Sequence, residues 1–484
     1  MVERELMELI QQIQTRGCEE QTTEVKSARG GCPEKLYDTI SAFSNQNSGG
    51  VFVFGLDEKA GFRKLGVYDA QDLQKKVMEY CEQMTPIVRP VFTVCDEDGM
   101  LFVSAEIPPV DIADRPCFKT AKGRLQGSYI RVGDADKPMT EYEVYSYEAF
   151  RRKYRDDIRA AEGVSIKSLD AAKVEIYLAK KRSERPNLAV LPLEQQYELT
   201  GVMRDGRVTM MALLLFGVYP QAYYPQLSII ASSVPGREIG TLNPAGNRFL
   251  DSKRIEGTLT DMLEGALAFV RTNMRTAIKI NPQTGDREDV PQYPLVAVRE
   301  AVMNALVHRD YSFHTEGMPI QLTMYEDRME IINPGGLYGR LTVDQLGRTQ
   351  PDTRNPALVT AMETLGKTEN RYSGIPTIRY VMKEAGLPAP VFSDARGMFK
   401  VVLYNHAEEA RTGDSKKAKI ADEKGLLAFC RTPRTREEII EHIDLASGQY
   451  AFRRYLAPLL QAGAIRMTKP EAPRSRDQRY VTVE

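Results

Sequence analysis

Four charged residues near the N-terminus have the types and spacing to act on a phosphodiester. Glu19 and Glu24 lie five residues apart, Lys26 follows two after Glu24 in a segment that reads as a strand, and Asp57 closes a second, apolar strand. Strand alternation puts Glu24 and Lys26 on one face, with Asp57 in the turn that ends the neighbouring strand. Three carboxylates and a cation that converge in this way can hold a divalent metal, which activates water and neutralises phosphate charge during nucleic-acid cleavage. The same spacing also reads as exposed acids paired to a lysine.

A second group, Glu300, Asn304 and His308, recurs every four residues, so all three project from one face of a helix. A Glu there can activate water, and an Asn carbonyl can ligate magnesium bound to phosphates, which suits nucleotide hydrolysis. A solvated helix face has the same period. A third group is basic: Arg453 and Arg454 stand beside Tyr450 and Tyr455 in a helical stretch, and Lys469, Arg474, Arg476 and Arg479 surround a Pro-rich loop. Cations on a recognition helix and wing contact phosphates while polar neighbours read base edges. Modules of that shape also serve for protein docking.

Several elements must position these groups. Lys35 to Ser44 has helical periodicity, Val51 to Phe54 is a buried strand closed by Gly55, and strands over 90–96 and 100–107 flank the turn Asp96-Glu-Asp-Gly99. The charged stretch from Arg151 to Asp157 predicts a solvated linker helix. The apolar run from Val208 to Tyr219 predicts a buried strand. Three helical stretches followed by strands at Ala464 to Met467 and Arg479 to Val483 give the winged-helix order. The expected organisation is α+β and multidomain: 1–150, a nucleic-acid-binding domain; 151–285, a linker helix and middle segment; 286–410, a nucleotide-binding sandwich; and 420–484, a winged helix.

Composition supports this division. A chain of 484 residues predicts about three domains, and its 42% hydrophobic and 27% charged content is that of packed domains, not a disordered chain. Lys plus Arg (65) almost cancels Asp plus Glu (66), so any surface for nucleic acid must be local. The six cysteines show no CxxC spacing, which argues against a zinc site or a disulfide framework and for a reducing compartment. The N-terminus MVERELMELI lacks the pattern of a secretory signal, and no apolar run is long enough for a bilayer. The expectation is a cytoplasmic protein with no membrane partner.

Three segments in order, Thr23-Glu-Val-Lys26, Ile40-Ser-Ala-Phe-Ser-Asn45 and Gly49-Gly-Val-Phe-Val-Phe-Gly-Leu-Asp57, resemble the Schlafen AlbA-like family over roughly residues 10 to 150. Ser44 stands where that family usually has Ala, and Gln46-Asn-Ser48 is inserted before the glycines. The resemblance implies nucleic-acid contact. In eukaryotic members three acids form a ribonuclease site, and by the motif these fall on Glu19, Glu24 and Asp57.

Further on, Arg299 to Tyr311, Asp327 to Leu337, Arg354-Asn-Pro356 and Ser373-Gly-Ile375 resemble the ATP-binding domain of bacterial RecG-like transcriptional regulators, a branch of the GHKL group. That resemblance implies ATP with magnesium as cofactor. Glu300 would be the water-activating base, Asn304 the magnesium ligand, Asn333 with Gly335 and Gly336 the adenine-side loop, and Ser373 with Gly374 the neighbours of the phosphates. Active members carry Asp where Asn333 stands and glycine where Tyr372 stands, and Pro376 removes a backbone donor. These departures predict nucleotide binding with little or no turnover.

Three functions fit: an ATP-responsive, DNA-binding transcriptional regulator; a metal-dependent nuclease of RNA or DNA in stress or phage defence; and a non-catalytic dimeric scaffold. The expected partners are nucleic acid, DNA ahead of RNA, and a second copy of the chain.

Overall fold

The structure is a computed structural model that describes residues 1–280, 287–350, 352–366, 373–395 and 397–405. Towards the C-terminus it describes 426–427, 429–435, 438–439, 456, 459–460, 464–468 and 478–483. The architecture is α+β, with two mixed sheets and several small antiparallel ones among the described residues, and the chain divides into two compact units, Met1–His406 and Ala407–Glu484. Among the described residues no helix is long and apolar enough to cross a membrane.

The first sheet runs in the order Thr23–Lys26, Gly50–Phe54, Met100–Ile107, Val91–Glu97, parallel only in its first pair. Alternation divides its side chains. Phe52 and Phe54 pack with Ile40 and Phe43 of the Tyr37–Ser44 helix, while Val25 and Val53 meet Leu6, Ile10 and Ile13 of the Glu3–Arg16 helix. With both faces covered, the Gly50–Phe54 strand is apolar at every position, as a two-sided strand must be. Asp98 and Gly99 both have positive φ, 53° and 80°, the geometry that turns an antiparallel hairpin in two residues.

A six-stranded sheet follows in the order Asp251–Ile255, Ile229–Ser233, Ile320–Met324, Arg328–Pro334, Met398–Tyr404, Val391–Ala395. Only its Ile229–Ser233 and Ile320–Met324 pair is parallel. The Leu259–Asn273 and Leu295–His308 helices pack against it, and the Gly374–Glu384 helix packs on the latter. Residues on both sides of the expected 285/286 boundary therefore share one sheet and one hydrophobic core.

Two expectations need correction. The apolar run after Val208 is a helix, Met210–Phe216, entirely buried, and Thr209 caps it by accepting from Ala212 N at 3.1 Å. Its Met, Ala and Leu residues are good helix formers with no β-branched member, a distinction that apolar continuity does not reveal. The stretch from Arg151 to Asp157 is not a solvated linker helix. The helix there begins at Glu141 behind a Thr140 capping box and stops at Arg152, and Lys153 takes the left-handed conformation. Asp157 then turns inward, fully buried, and accepts from Ala357 N and Leu358 N at 2.6 and 3.1 Å. Its carboxylate caps the Pro356–Thr364 helix, where the exposed amides and the helix dipole favour a negative charge.

In the second unit, Arg434–Thr435, Arg479–Thr482 and Ile465–Met467 form a three-stranded sheet with Arg479–Thr482 in the middle. Leu426, Cys430, Ile439, Leu456, Leu459, Ile465 and Tyr480 form its core. The two strands expected at the C-terminus are present and pair antiparallel. Most of the expected helices before them lie outside the described residues.

Candidate functional site

At the edge of the first sheet, Glu24 and Lys26 share a face as expected and form an ion pair. Glu19 joins them from the loop before the strand, its Oε1 accepting from Val25 N at 2.7 Å. Sequence reasoning missed the residue that organises this corner. Arg131, on the Tyr129–Val132 strand with its side chain 1% exposed, reaches Glu24 Oε2 at 2.8 Å, Asp136 Oδ1 at 2.9 Å and Glu19 Oε2 at 3.9 Å. It also donates to Thr23 O at 3.2 Å and lies over the Phe43 ring. A lone arginine on a short, otherwise apolar strand was the available signal. Burial, reinforced by the Glu24 and Glu58 charges and opposed by the Val25 amide, pushes the Glu19 carboxyl up to about 7.

Asp57 does different work. It caps the Glu58–Ala60 turn by accepting from Lys59 N at 3.1 Å. Among the described residues no group of three or more His, Cys, Asp or Glu is arranged to hold a metal ion. Of the three expected acids, Glu19 and Glu24 thus meet at Arg131, together with Asp136, while Asp57 caps its own turn.

The second site forms on the Leu295–His308 helix. Glu300 and Asn304 stand one turn apart and both meet the N-terminus of the Gly374–Glu384 helix. A Cβ added at Gly374 would lie 3.1 Å from Asn304 Nδ2 and 3.3 Å from Glu300 Oε2, so only a glycine allows this approach without displacement. Ser373 opens the helix, exposed and without a side-chain cap. Arg299 already pairs with Glu300 at 3.0 Å. His308 keeps an exposed edge, but the protein packed about its ring and the Arg354 guanidinium push its pKa down to about 4, so it is neutral near pH 7.

Asn333 is the penultimate residue of the Arg328–Pro334 strand, buried, and its Oδ1 has no hydrogen-bond partner among the described residues. A buried acceptor left unmatched fits a ligand that brings an amino donor, as adenine does. The following loop is tightly built. Gly335 has φ 101°, and a Cβ there would fall 2.7 Å from Asp310 Cβ. The Gly336 carbonyl accepts from Arg354 Nη2 at 3.2 Å. The residues therefore fit an adenine nucleotide at the Asn333 end. Towards the phosphates they offer the amides that open the Gly374–Glu384 helix, of which Pro376 supplies none. Tyr372 lies outside the described residues.

An aromatic helix from the first domain seats on this loop. Tyr142, in the Glu141–Arg152 helix, donates to Asp310 Oδ2 at 2.7 Å, and the same carboxylate pairs with the buried Arg354. Tyr145 packs against His314 with the rings tilted and their centres 4.4 Å apart, and Phe150 meets Tyr338 edge-on at 5.4 Å. Burial would raise the Asp310 pKa, but Arg354, Tyr142 and the Ser312 amide outweigh it and hold the carboxyl below its ordinary range.

Of the third group, Arg479 is exposed on the central strand of the second unit and donates to Pro433 O at 3.4 Å. Arg453, Arg454, Lys469, Arg474 and Arg476 lie outside the described residues.

Residues 19–140 match the family model described as Schlafen, AlbA_2. Residues 317–403 match that of the putative ATP-dependent DNA helicase recG C-terminal. The chain thus carries a Schlafen AlbA_2 domain joined to an ATPase-like domain of the RecG C-terminal type. Residues 424–482 match the C-terminal domain of the filamentation induced by cAMP protein Fic-like family. No curated protein matches the chain. Among solved structures, the DIP2311 protein of Corynebacterium diphtheriae is 19% identical over 99% of this chain and 97% of its own, with a TM-score of 0.39. The N-terminal domain of a putative ATP-dependent DNA helicase RecG-related protein of Nitrosomonas europaea is 23% identical over 28% of this chain and 93% of its own, with a TM-score of 0.23.

Proposed function

We propose that this protein is a DNA-binding transcriptional regulator whose hold on nucleic acid responds to adenine nucleotide. The observation that carries the reading is the Tyr142–Asp310–Arg354–Gly336 chain of contacts, which ties the Schlafen-type domain to the loop of the ATPase-like domain. A nucleotide that engages Asn333 and reshapes that loop must alter Arg354 and Asp310, and with them the seat of Tyr142. Coupling of this kind is a difference in contacts between two states that both ligands bias.

In this reading Asn333 would accept from the adenine amino group, Asn304 would help to hold a magnesium ion, and the opening amides of the Gly374–Glu384 helix would bind the phosphates. Bound ATP supplies charge and binding energy here, and Glu300, held by Arg299, supplies little base catalysis. Binding is favoured over cleavage at the Glu19 and Glu24 corner because Arg131 already holds Glu24 and burial makes Glu19 keep its proton, so neither acid is free for a metal. The second unit, read as a winged helix, adds duplex contacts through Arg453, Arg454, Lys469, Arg474, Arg476 and Arg479.

The test is fluorescence anisotropy of labelled DNA with and without magnesium ATP. A several-fold change in Kd that Tyr142→Phe diminishes is expected. Identical affinities with saturating nucleotide and without it would overturn the coupling.

A further inference from the structure

A recess of about 380 Å³ has Lys153, Tyr154, Arg155, Arg159, Arg204 and Arg207 in its lining. Five cations and one carboxylate line it, in a chain whose formal net charge is −1. We propose that this recess is a backbone site for single-stranded nucleic acid, in which the arginines hold phosphates and Tyr154 stacks a base. The inference deepens the proposed nucleic-acid function and rests on it.

Three features argue for an anionic occupant. First, Arg204 and Arg207 are direct cross-strand partners in the Met203–Arg204 and Arg207–Val208 hairpin. Like charges in that relation repel, so the pair costs stability unless an anion bridges it. Second, the side chains of Lys153, Arg155, Arg204 and Arg207 are exposed and make no hydrogen bond or ion pair among the described residues. Only Arg159 is anchored, by Glu316 at 2.7 Å and by Tyr311 O at 3.1 Å, which fixes it as the recess wall.

Third, the recess is built to hold its shape. Glu198 accepts from the turn amides of Asp205 and Gly206 at 3.1 and 2.8 Å, which clamps the hairpin that carries the two arginines. Lys153 stands at the left-handed stop of the Glu141–Arg152 helix, so Lys153, Tyr154 and Arg155 leave that helix on a tight bend. Tyr154 is backed by Tyr145 at 6.1 Å and remains 36% exposed. A charged groove beside an aromatic platform is how single strands are bound without sequence preference.

The experiment uses the full chain and a labelled oligothymidylate of about 20 nucleotides, a length covering the usual footprint of such sites. Affinity is read by anisotropy across a salt series. Removal of two phosphate-binding cations in Arg204→Ala/Arg207→Ala should lower affinity about tenfold and flatten the log–log salt slope by about 1.4, since each phosphate neutralised on a single strand contributes about 0.7. Arg204→Lys/Arg207→Lys should keep most of the slope. Tyr154→Ala should weaken binding about fivefold or more with the slope unchanged, because stacking releases no counterions. Thermal melts of each variant confirm folding.

If the alanine pair binds the oligonucleotide with wild-type affinity and slope, the recess is not the site, and the nucleic-acid function survives without it. Should the wild-type chain bind neither single strand nor duplex, both proposals fall together. Displacement of the oligonucleotide by inorganic phosphate at constant ionic strength would identify a small-anion site and overturn the proposal.

Discussion

The Tyr142 hydroxyl and the Asp310 carboxylate meet at 2.7 Å although 168 residues separate them in sequence. One partner leaves the Schlafen-type domain on a helix, and the other follows the helix that carries Glu300 and Asn304. Arg354 completes the arrangement, so a buried charge pair and a phenol stand between the two domains.

Removal of the phenol should cost little, and removal of the charge should cost much. Tyr142→Phe is expected to lower stability by about 1 kcal/mol, the usual worth of one hydrogen bond. Asp310→Asn leaves the buried Arg354 uncompensated and should cost about 3–5 kcal/mol. Denaturant melts read both. Because the folded pKa of Asp310 is depressed, its contribution is present above the unfolded value and is lost as pH falls through the folded one. Asp310→Asn should therefore flatten the acid limb of stability against pH. An acid limb as steep as that of the wild type would assign it to other carboxylates.

Glu19 has the opposite sign. Its folded pKa of about 7 exceeds the ordinary 4.5, so between those values the folded state holds more protons than the unfolded chain. Stability then falls as pH rises through that window and levels off above it. Glu19→Gln should remove this slope and melt relatively higher than wild type at pH 8 than at pH 5. A gap between the two melting temperatures that does not change with pH would mean that Glu19 is ionised throughout.

What the sequence revealed followed the range of its signals. The Val51 to Phe54 strand, the Asp96 to Gly99 hairpin and the common face of Glu300 and Asn304 rest on local periodicity and turn chemistry, which the structure keeps. Glu24 and Lys26 share a face for the same reason. The misread elements depended on distant partners. Met210 to Phe216 is a helix because Thr209 caps it and a core surrounds it, and an apolar run shows neither. Asp157 looked solvated in a charged run, yet its partners are amides 200 and 201 residues further on. Arg131 lies more than a hundred residues from Glu24 and Glu19, beyond the reach of any spacing argument.

At the nucleotide site, magnesium ATP should raise the melting temperature of the wild type and be turned over slowly or not at all. Asn333→Asp places an unpaired carboxylate in a buried position, so the free protein should lose stability. The nucleotide restores a donor there, so the ATP-induced shift in melting temperature should be larger in this variant than in the wild type. Glu300→Ala should leave the shift intact. Fast magnesium-dependent hydrolysis that Glu300→Ala abolishes would show that the Gly374 approach and the Arg299 pair do not restrain Glu300.

Duplex binding tests the second unit separately from the recess. If its cations bind the duplex, each phosphate they neutralise releases counterions and steepens the dependence of affinity on salt. A chain ending at residue 406 keeps the unit Met1–His406 with its own hydrophobic cores and lacks Arg453, Arg454 and the wing cations. That truncation should bind duplex more weakly and with a flatter salt slope, by about 0.9 for each phosphate no longer neutralised. Its affinity for oligothymidylate should change little, because the residues of the Lys153 to Arg207 recess remain. Arg453→Ala/Arg454→Ala in the full chain should reproduce part of the fall in duplex affinity, which separates the role of these cations from any wider effect of truncation. Duplex affinity and slope that survive both changes would assign the second unit to protein docking and leave phosphate binding to the first.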